Sequence, residues 1–308
     1  MKVWLPRTDI LGELGEVPDA VRIEAFDPHG RFGPADMPSD PAGVRFWVPS
    51  MLSTEPTTRL VDRLPELRVV QLMTAGAEVW IDRVPDGVAL CDARGVHGSS
   101  TSEWVVGAIL ASIREFGRFV RAHDERKWDY TPTDELAGKR VLVVGAGDVG
   151  EAICRRLEPF DVSLIRVART ARPGVYGVLD LLDLLPQADV VVLVVPLTEA
   201  TTGMVDAAFL AAMADGALLV NAARGPVLDT DALVAELTSG RLRAALDVVD
   251  PEPLPPEHPL WTAPGLFLTP HVAGSVPGVW PRAYRLVGAQ LRRFAAGEPL
   301  VNVVTDGY

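Results

Sequence analysis

Apolar residues along this chain come in two rhythms, and the alternation between them predicts the fold. Short runs rich in Val, Ile, Leu and Phe stand at residues 2–5, 21–26, 44–48, 67–73 and 88–91, then at 141–144, 163–168, 188–196, 218–225, 243–249 and 266–271. Each has the length and the bounding turn residues of a strand, and the unbroken β-branched run at 188–196 reads as a strand buried on both faces. Between the runs, apolar positions return at helical spacing. Helices are predicted over 53–64, from Ser99 through Val105, Ile109 and Ile113, from about 148, over 179–185, over 231–237 and over 280–296. Ser and Thr residues at 99–102 are candidates to cap the second of these. Residues 114–133, charged and irregular, read as a connector, and 301–305 as an extra strand. Strands alternating with helices require parallel sheets, so the expected fold class is α/β with doubly wound, Rossmann-like domains.

Composition narrows the function classes. A chain of 308 residues has room for two domains, and its formal net charge of −12 disfavours both a sequence-independent grip on nucleic acid and adhesion to anionic membranes. Cys91 and Cys154 form neither a Cys-x-x-Cys pair nor a disulfide ladder, which suits a reducing compartment, and no metal is expected. The N-terminal residues lack the apolar centre of a signal peptide, and the longest apolar run, 190–197, is too short to span a bilayer. A cytoplasmic location is the expectation.

The stretch Val141-Leu-Val-Val-Gly-Ala-Gly-Asp-Val-Gly150 carries the first chemistry. Gly145, Gly147 and Gly150 have the spacing of a dinucleotide-binding turn: the first for the bend, the second for close approach of a pyrophosphate, the third for packing of helix on strand. A helix starting near Asp148 would aim its unpaired N–H groups and positive dipole end at the phosphates. The next strand ends in Ala168, where an acid would hold a ribose 2′-hydroxyl, and Arg169 follows. Arg169, with Thr170 or Arg172, could instead accept a 2′-phosphate, so NADP is the preferred cofactor and NAD the alternative. Thr74-Ala-Gly-Ala77 follows the strand at 67–73, where parallel sheets place ligands; a plain strand-to-helix turn is the competing reading.

Three further polar residues, Arg224, Glu252 and His271, stand at or just beyond predicted strand ends. Reduction of a 2-oxo acid by a nicotinamide requires a proton donor at the carbonyl oxygen and a cation for the carboxylate. Imidazole exchanges protons near neutrality, which suits His271 to the first task, with Glu252 keeping it charged. The planar fork of Arg224 suits the second. Singly, each has a structural alternative: a strand-end hydrogen bond for the histidine, a surface carboxylate for the glutamate, a strand-terminating ion pair for the arginine.

Gly145-Ala-Gly-Asp-Val-Gly150, Pro196-Leu-Thr-Glu-Ala-Thr-Thr-Gly-Met, Val220-Asn-Ala-Ala-Arg-Gly-Pro-Val-Leu-Asp229, Ala245-Leu-Asp-Val-Val-Asp-Pro-Glu-Pro-Leu254 and Thr269-Pro-His-Val-Ala-Gly274 resemble, in order, the signatures of the D-isomer-specific 2-hydroxyacid dehydrogenases. The resemblance runs from about residue 67 to the end and is nearest to the glyoxylate/hydroxypyruvate reductase branch. It implies Arg224, Glu252 and His271 as the catalytic set and backbone at Ala75 and Gly76 as substrate contacts, with Arg224 and His271 also touching substrate. It implies cofactor contacts at Asp148, Val149, Val195, Pro196, Ala222, Ala223, Arg224, Asp247, His271, Ala273 and Gly274. It further implies a flavodoxin-like substrate domain, 1–98 with 276–308, holding an inserted dinucleotide-binding domain, 99–275, in a homodimer. Asp148 departs from the family's usual uncharged or basic residue, and the turn at 75–80 departs from the commoner pattern there. Ala168 supports NADPH, and Glu252 argues against a formate dehydrogenase, where Gln would be expected. Two alternatives stay open: a nucleotide-sensing, corepressor-like interaction protein on the same fold, and a phosphite-type dehydrogenase.

Overall fold

The computed structural model describes residues 1–26, 37–51 and 55–305. The chain divides into two compact units, 1–97 with 277–308, and 98–276.

In the first unit, β1 (Lys2–Leu5), β2 (Arg22–Ala25), β3 (Val44–Trp47), β4 (Val69–Gln71) and β5 (Ala89–Cys91) form a parallel sheet in the order β2-β1-β3-β4-β5. That is the flavodoxin-like order. Successive side chains of β1 point to opposite faces: Val3 and Leu5 pack with Val287 and Leu291 of the helix Val279–Ala296, Trp4 with Phe26 and Trp47 on the other side. An amide pair buried without any exposure locks helix to sheet: Gln290 Nε2 donates to Gln71 Oε1 (2.9 Å) and to Val301 O (2.8 Å), while Gln290 Oε1 accepts from Val301 N (3.0 Å). Gln290→Ala would leave Gln71 Oε1 buried without its donor and release the Val301 backbone. It is expected to lower unfolding stability by about 2–3 kcal/mol in a urea melt; an unchanged midpoint would refute the account.

In the second unit, β6 (Arg140–Val144), β7 (Ser163–Ala168), β8 (Tyr176–Gly177), β9 (Val190–Leu193), β10 (Leu218–Asn221), β11 (Arg243–Leu246) and β12 (Leu266–Leu268) make a parallel sheet in the order β12-β11-β10-β9-β6-β7-β8. The order reverses between β6 and β9, which makes the crevice beyond their carboxyl ends the ligand-binding switch point of a Rossmann fold. Every residue of β9 and β10 is buried, Val190 and Val192 facing one core, Val191 and Leu193 the other. Burial on both faces is why these strands read as continuous apolar runs.

Several elements differ from the sequence expectation. The long helix is Gly98–Ile113, so Ser99 and Ser100 lie inside it, and Ser102 Oγ donates back to Gly98 O (2.5 Å) instead of capping. Residues 114–133 contain the helix Phe116–Asp124, tied to the segment after it by Arg118 on Asp129 (2.7 Å). The helix expected over 53–64 is one α-turn, Glu55–Thr58, followed by the 3-10 turn Arg59–Arg63, and residues 53 and 54 lie outside the described residues. Residues 301–305 contribute a single antiparallel bridge, Cys91 with Val303. Strand β8 and the helix Ala207–Ala212, capped by Asp206 on Phe209 N (2.8 Å), were not expected. Both cysteines are free and buried, and burial pushes the thiol of Cys91 up to about 12 and that of Cys154 up to about 11. Neither is a nucleophile at neutral pH. Among the described residues no helix is long and apolar enough to cross a membrane.

Candidate active site

The second sheet delivers its chemistry at one edge. Arg224, Glu252 and His271 follow β10, β11 and β12, three neighbouring parallel strands, so all three emerge at the carboxyl edge. His271 and Glu252 meet directly: Nδ1 of the ring lies 2.7 Å from Oε1 of the carboxylate. A carboxylate only accepts, so Nδ1 carries a hydrogen and Nε2 is the nitrogen left to face a substrate. Both side chains are open to solvent, 46% and 41% exposed, as groups that exchange a proton with a ligand must be.

His271 stands in the left-handed region at φ 54, a conformation that costs a residue with a β-carbon about 1–2 kcal/mol. Asp247, at the end of β11, holds it there. His271 N donates to Asp247 O (2.7 Å), and the buried Asp247 carboxylate accepts from Thr269 Oγ1 (2.6 Å), Val272 N (2.8 Å) and Ala273 N (2.9 Å). The family resemblance turns Asp247 toward the nicotinamide; in this fold its oxygens bind the loop that carries the histidine. Asn221 serves Arg224 in the same way. Fully buried at the end of β10, it accepts from Ala223 N (3.0 Å) and donates to Arg224 O (3.1 Å), shaping the Ala222–Ala223 turn, while Arg224 Nη1 donates to Ala223 O (2.7 Å). Sequence reasoning missed Asn221 and Thr269 as shaping residues. Their signal was a small polar residue at the end of an otherwise apolar strand, where burial demands a partner.

The glycine turn fits a dinucleotide. Gly145 has φ 116, and a β-carbon there would stand 2.5 Å from Val194 O; one at Gly150 would stand 1.8 Å from Gly145 O, so helix and turn are in backbone contact. A β-carbon on Gly147 would meet nothing within 4 Å, so protein packing does not require that glycine, and the open space is the size of requirement a ligand imposes. The helix Asp148–Leu157 begins here, leaving the N–H groups of Asp148, Val149 and Gly150 without intrahelical partners. Arg172 Nη2 donates to Ala146 O (2.9 Å), bringing that guanidinium to the turn, and Arg169 and Thr170 are exposed beyond β7. Val195 and Pro196 follow β9, where Thr201 Oγ1 donates to Pro196 O (2.6 Å) and closes the loop. Ala273 is buried and Gly274 half-buried beyond His271.

In the first unit, Ala75 and Gly76 lie in the turn after β4. Thr74 Oγ1 donates to Gly76 O (2.8 Å), Ala93 N to Thr74 O (2.9 Å) and His97 Nε2 to Met73 O (2.8 Å). These bonds fix the turn from both sides. A cleft of about 380 Å³ lies at the opposite, amino edge of the second sheet, lined by Asp134, Lys139, Asp189 and Arg243 among others. Its charged groups satisfy one another and the backbone, with Lys139 on Asp134 (2.8 Å) and Arg140 N on Asp189 (2.8 Å), so the chemistry is assigned to the carboxyl edge. Among the described residues no group of three or more His, Cys, Asp or Glu is placed to hold a metal ion.

Two doubly wound parallel sheets, a glycine turn at the switch point and a histidine–carboxylate pair on the same edge define a dinucleotide-binding α/β protein of the dehydrogenase type. Residues 106–273 match the model of the D-isomer specific 2-hydroxyacid dehydrogenase NAD-binding domain. A glyoxylate reductase from Thermofilum pendens is 34% identical over 265 residues, 80% of this chain and 78% of that one. A D-isomer specific 2-hydroxyacid dehydrogenase from Xanthobacter autotrophicus, solved with NADPH and MES, superposes with a TM-score of 0.82 at 31% identity over 99% of both chains. The NADPH-dependent glyoxylate/hydroxypyruvate reductase of Sinorhizobium meliloti, solved with NADP and sulfate, gives 0.83 at 28% identity over 98% of both. The chain belongs to the D-isomer specific 2-hydroxyacid dehydrogenase family, whose members are oxidoreductases acting on CH–OH groups with NAD(P).

Proposed function

We propose that this protein reduces a small 2-oxo acid of the glyoxylate or hydroxypyruvate kind to the D-2-hydroxy acid, with NADPH preferred to NADH. The observation that carries the reading is the 2.7 Å contact of His271 with Glu252 beside the strand end that bears Arg224. The bound nicotinamide supplies the hydride. His271 Nε2 gives its proton to the carbonyl oxygen as negative charge develops there, and Glu252 steadies the imidazolium through Nδ1. Arg224 binds the carboxylate and aligns the carbonyl. In this reading unit 98–276 is the cofactor domain and unit 1–97 with 277–308 the substrate domain.

The test is a spectrophotometric screen of glyoxylate, hydroxypyruvate, pyruvate and bulkier 2-oxo acids with each nicotinamide separately. Oxidation of NADPH by a small 2-oxo acid is expected; no oxidation with any of them would overturn the proposal in favour of a nucleotide-sensing role.

Arg169 carries the cofactor preference, since Ala168 offers no acid to a 2′-hydroxyl. Arg169→Ala is expected to raise KM for NADPH about tenfold or more and KM for NADH less than about twofold, the loss of a charge-assisted phosphate contact. Equal effects on both would remove Arg169 from that role. The protein is further proposed to be a cytoplasmic homodimer joined through its cofactor domains. The support is an apolar segment of that unit left facing solvent, with Phe116, Val120, Trp128 and Tyr130 from 53% to 94% exposed.

A further inference from the structure

Asp148 puts a negative charge on the first turn of the helix that should receive a pyrophosphate. Two anions would compete for the same N–H groups unless the carboxylate has another place to go. The structure supplies one. The carboxylate of Asp148 lies against the Cα of Gly98: a β-carbon at Gly98 would stand 2.5 Å from Oδ2, 3.1 Å from Cγ and 3.3 Å from Oδ1. Gly98 is buried and is the first residue of the 16-residue helix Gly98–Ile113. The positive end of that helix dipole makes the place favourable for a negative charge. The two helices are joined a second time by Arg156 Nη2 on Ser99 Oγ (3.1 Å), so the receiving end is held in place. Gly98 has an ordinary negative φ, and no turn geometry demands glycine there; what a side chain would displace is the Asp148 carboxylate.

We propose that Gly98 is a seat for the Asp148 carboxylate, and that this seat keeps an acidic residue of the glycine turn off the cofactor's phosphates. Asp148 and Gly98 are then a pair of positioning residues: the missing side chain of one directs the charge of the other. Filling the seat would swing the carboxylate toward the turn, where it takes up the N–H groups meant for the pyrophosphate and repels it. The inference rests on the cofactor reading above.

The test is a double-mutant cycle on the full-length protein, read as NADPH dissociation constants by fluorescence titration, with no substrate present. Gly98→Ala is expected to weaken NADPH about five- to tenfold, about 1–1.4 kcal/mol at 1.4 kcal/mol per tenfold. In an Asp148→Ala background the same change should alter affinity less than about twofold, because the charge that was displaced is gone. The Gly98→Ala effect should also shrink as salt is raised from 0.05 to about 0.5 M, as repulsion between partly exposed charges is screened. Equal weakening in both backgrounds would mean that alanine distorts the helix pair, and would overturn the proposal. So would unchanged affinity in Gly98→Ala alone. Failure of the unaltered protein to bind NADPH or NADH would instead sink the cofactor reading itself, and this inference with it.

Discussion

His271→Asn is expected to lower the turnover of 2-oxo acid reduction by about 10³–10⁴-fold while leaving the NADPH dissociation constant within about twofold. Asparagine at this position keeps a polar side chain and tolerates the left-handed backbone at φ 54, so the loop held by Asp247 survives. What is lost is the ionisable nitrogen opposite the one on Glu252. Glu252→Gln retains a hydrogen-bond acceptor for Nδ1 but no charge, and should lose about 10²–10³-fold. Stopped-flow measurement of NADPH oxidation under single-turnover conditions separates this from slow product release. A His271→Asn variant turning over at the original rate would remove the histidine from the chemistry.

Gly225→Ala is expected to be as damaging without touching any reacting group. A β-carbon there would stand 1.9 Å from Val249 O, 2.3 Å from Val249 C and 2.8 Å from Asp250 N, all backbone. No rotamer relieves such contacts, so one of two strand-end segments must shift: the one that carries Arg224 or the one that leads to Glu252. A loss of about 2–4 kcal/mol in stability follows from overpacking at a buried site. A displacement near 1 Å also lowers kcat by about 10²-fold, since the carboxylate anchor and the proton donor no longer address one substrate pose. Thermal unfolding and kcat should fall together. Native values of both would show that the two segments yield independently of the site.

The parallel sheets were legible because burial on both faces leaves its mark on every residue of a strand, as in β9 and β10. The grouping of candidate residues was legible because parallel strands collect their termini at one edge, which places residues as distant in sequence as Arg224 and His271 on the same edge of one sheet. Elements whose pattern is too short stayed hidden. Strand β8 is two residues long, and the helix Phe116–Asp124 keeps only Ala122 buried, its few apolar residues lying within a charged stretch that read as a connector. Asn221 was read only as part of a motif and Asp247 as a cofactor contact, and a sequence does not reveal that their side chains bind the turns carrying Arg224 and His271. The carboxylate of Asp148 was legible as an oddity, but its neighbour Gly98 lies 50 residues away, a separation that no local pattern bridges.

The strand order has a consequence for redesign. Arg169 follows β7 and His271 follows β12, with β6, β9, β10 and β11 between them. Five interstrand steps of about 4.8 Å set the two ends about 24 Å apart, on the scale of an extended dinucleotide. On the proposed reading the sheet is a ruler: Arg169, assigned there to cofactor choice, and His271, assigned to proton transfer, stand several strands apart along one edge. Changes at sites so far apart contribute additively to free energy. Cofactor preference and reactivity can therefore be exchanged separately, each without retuning the other.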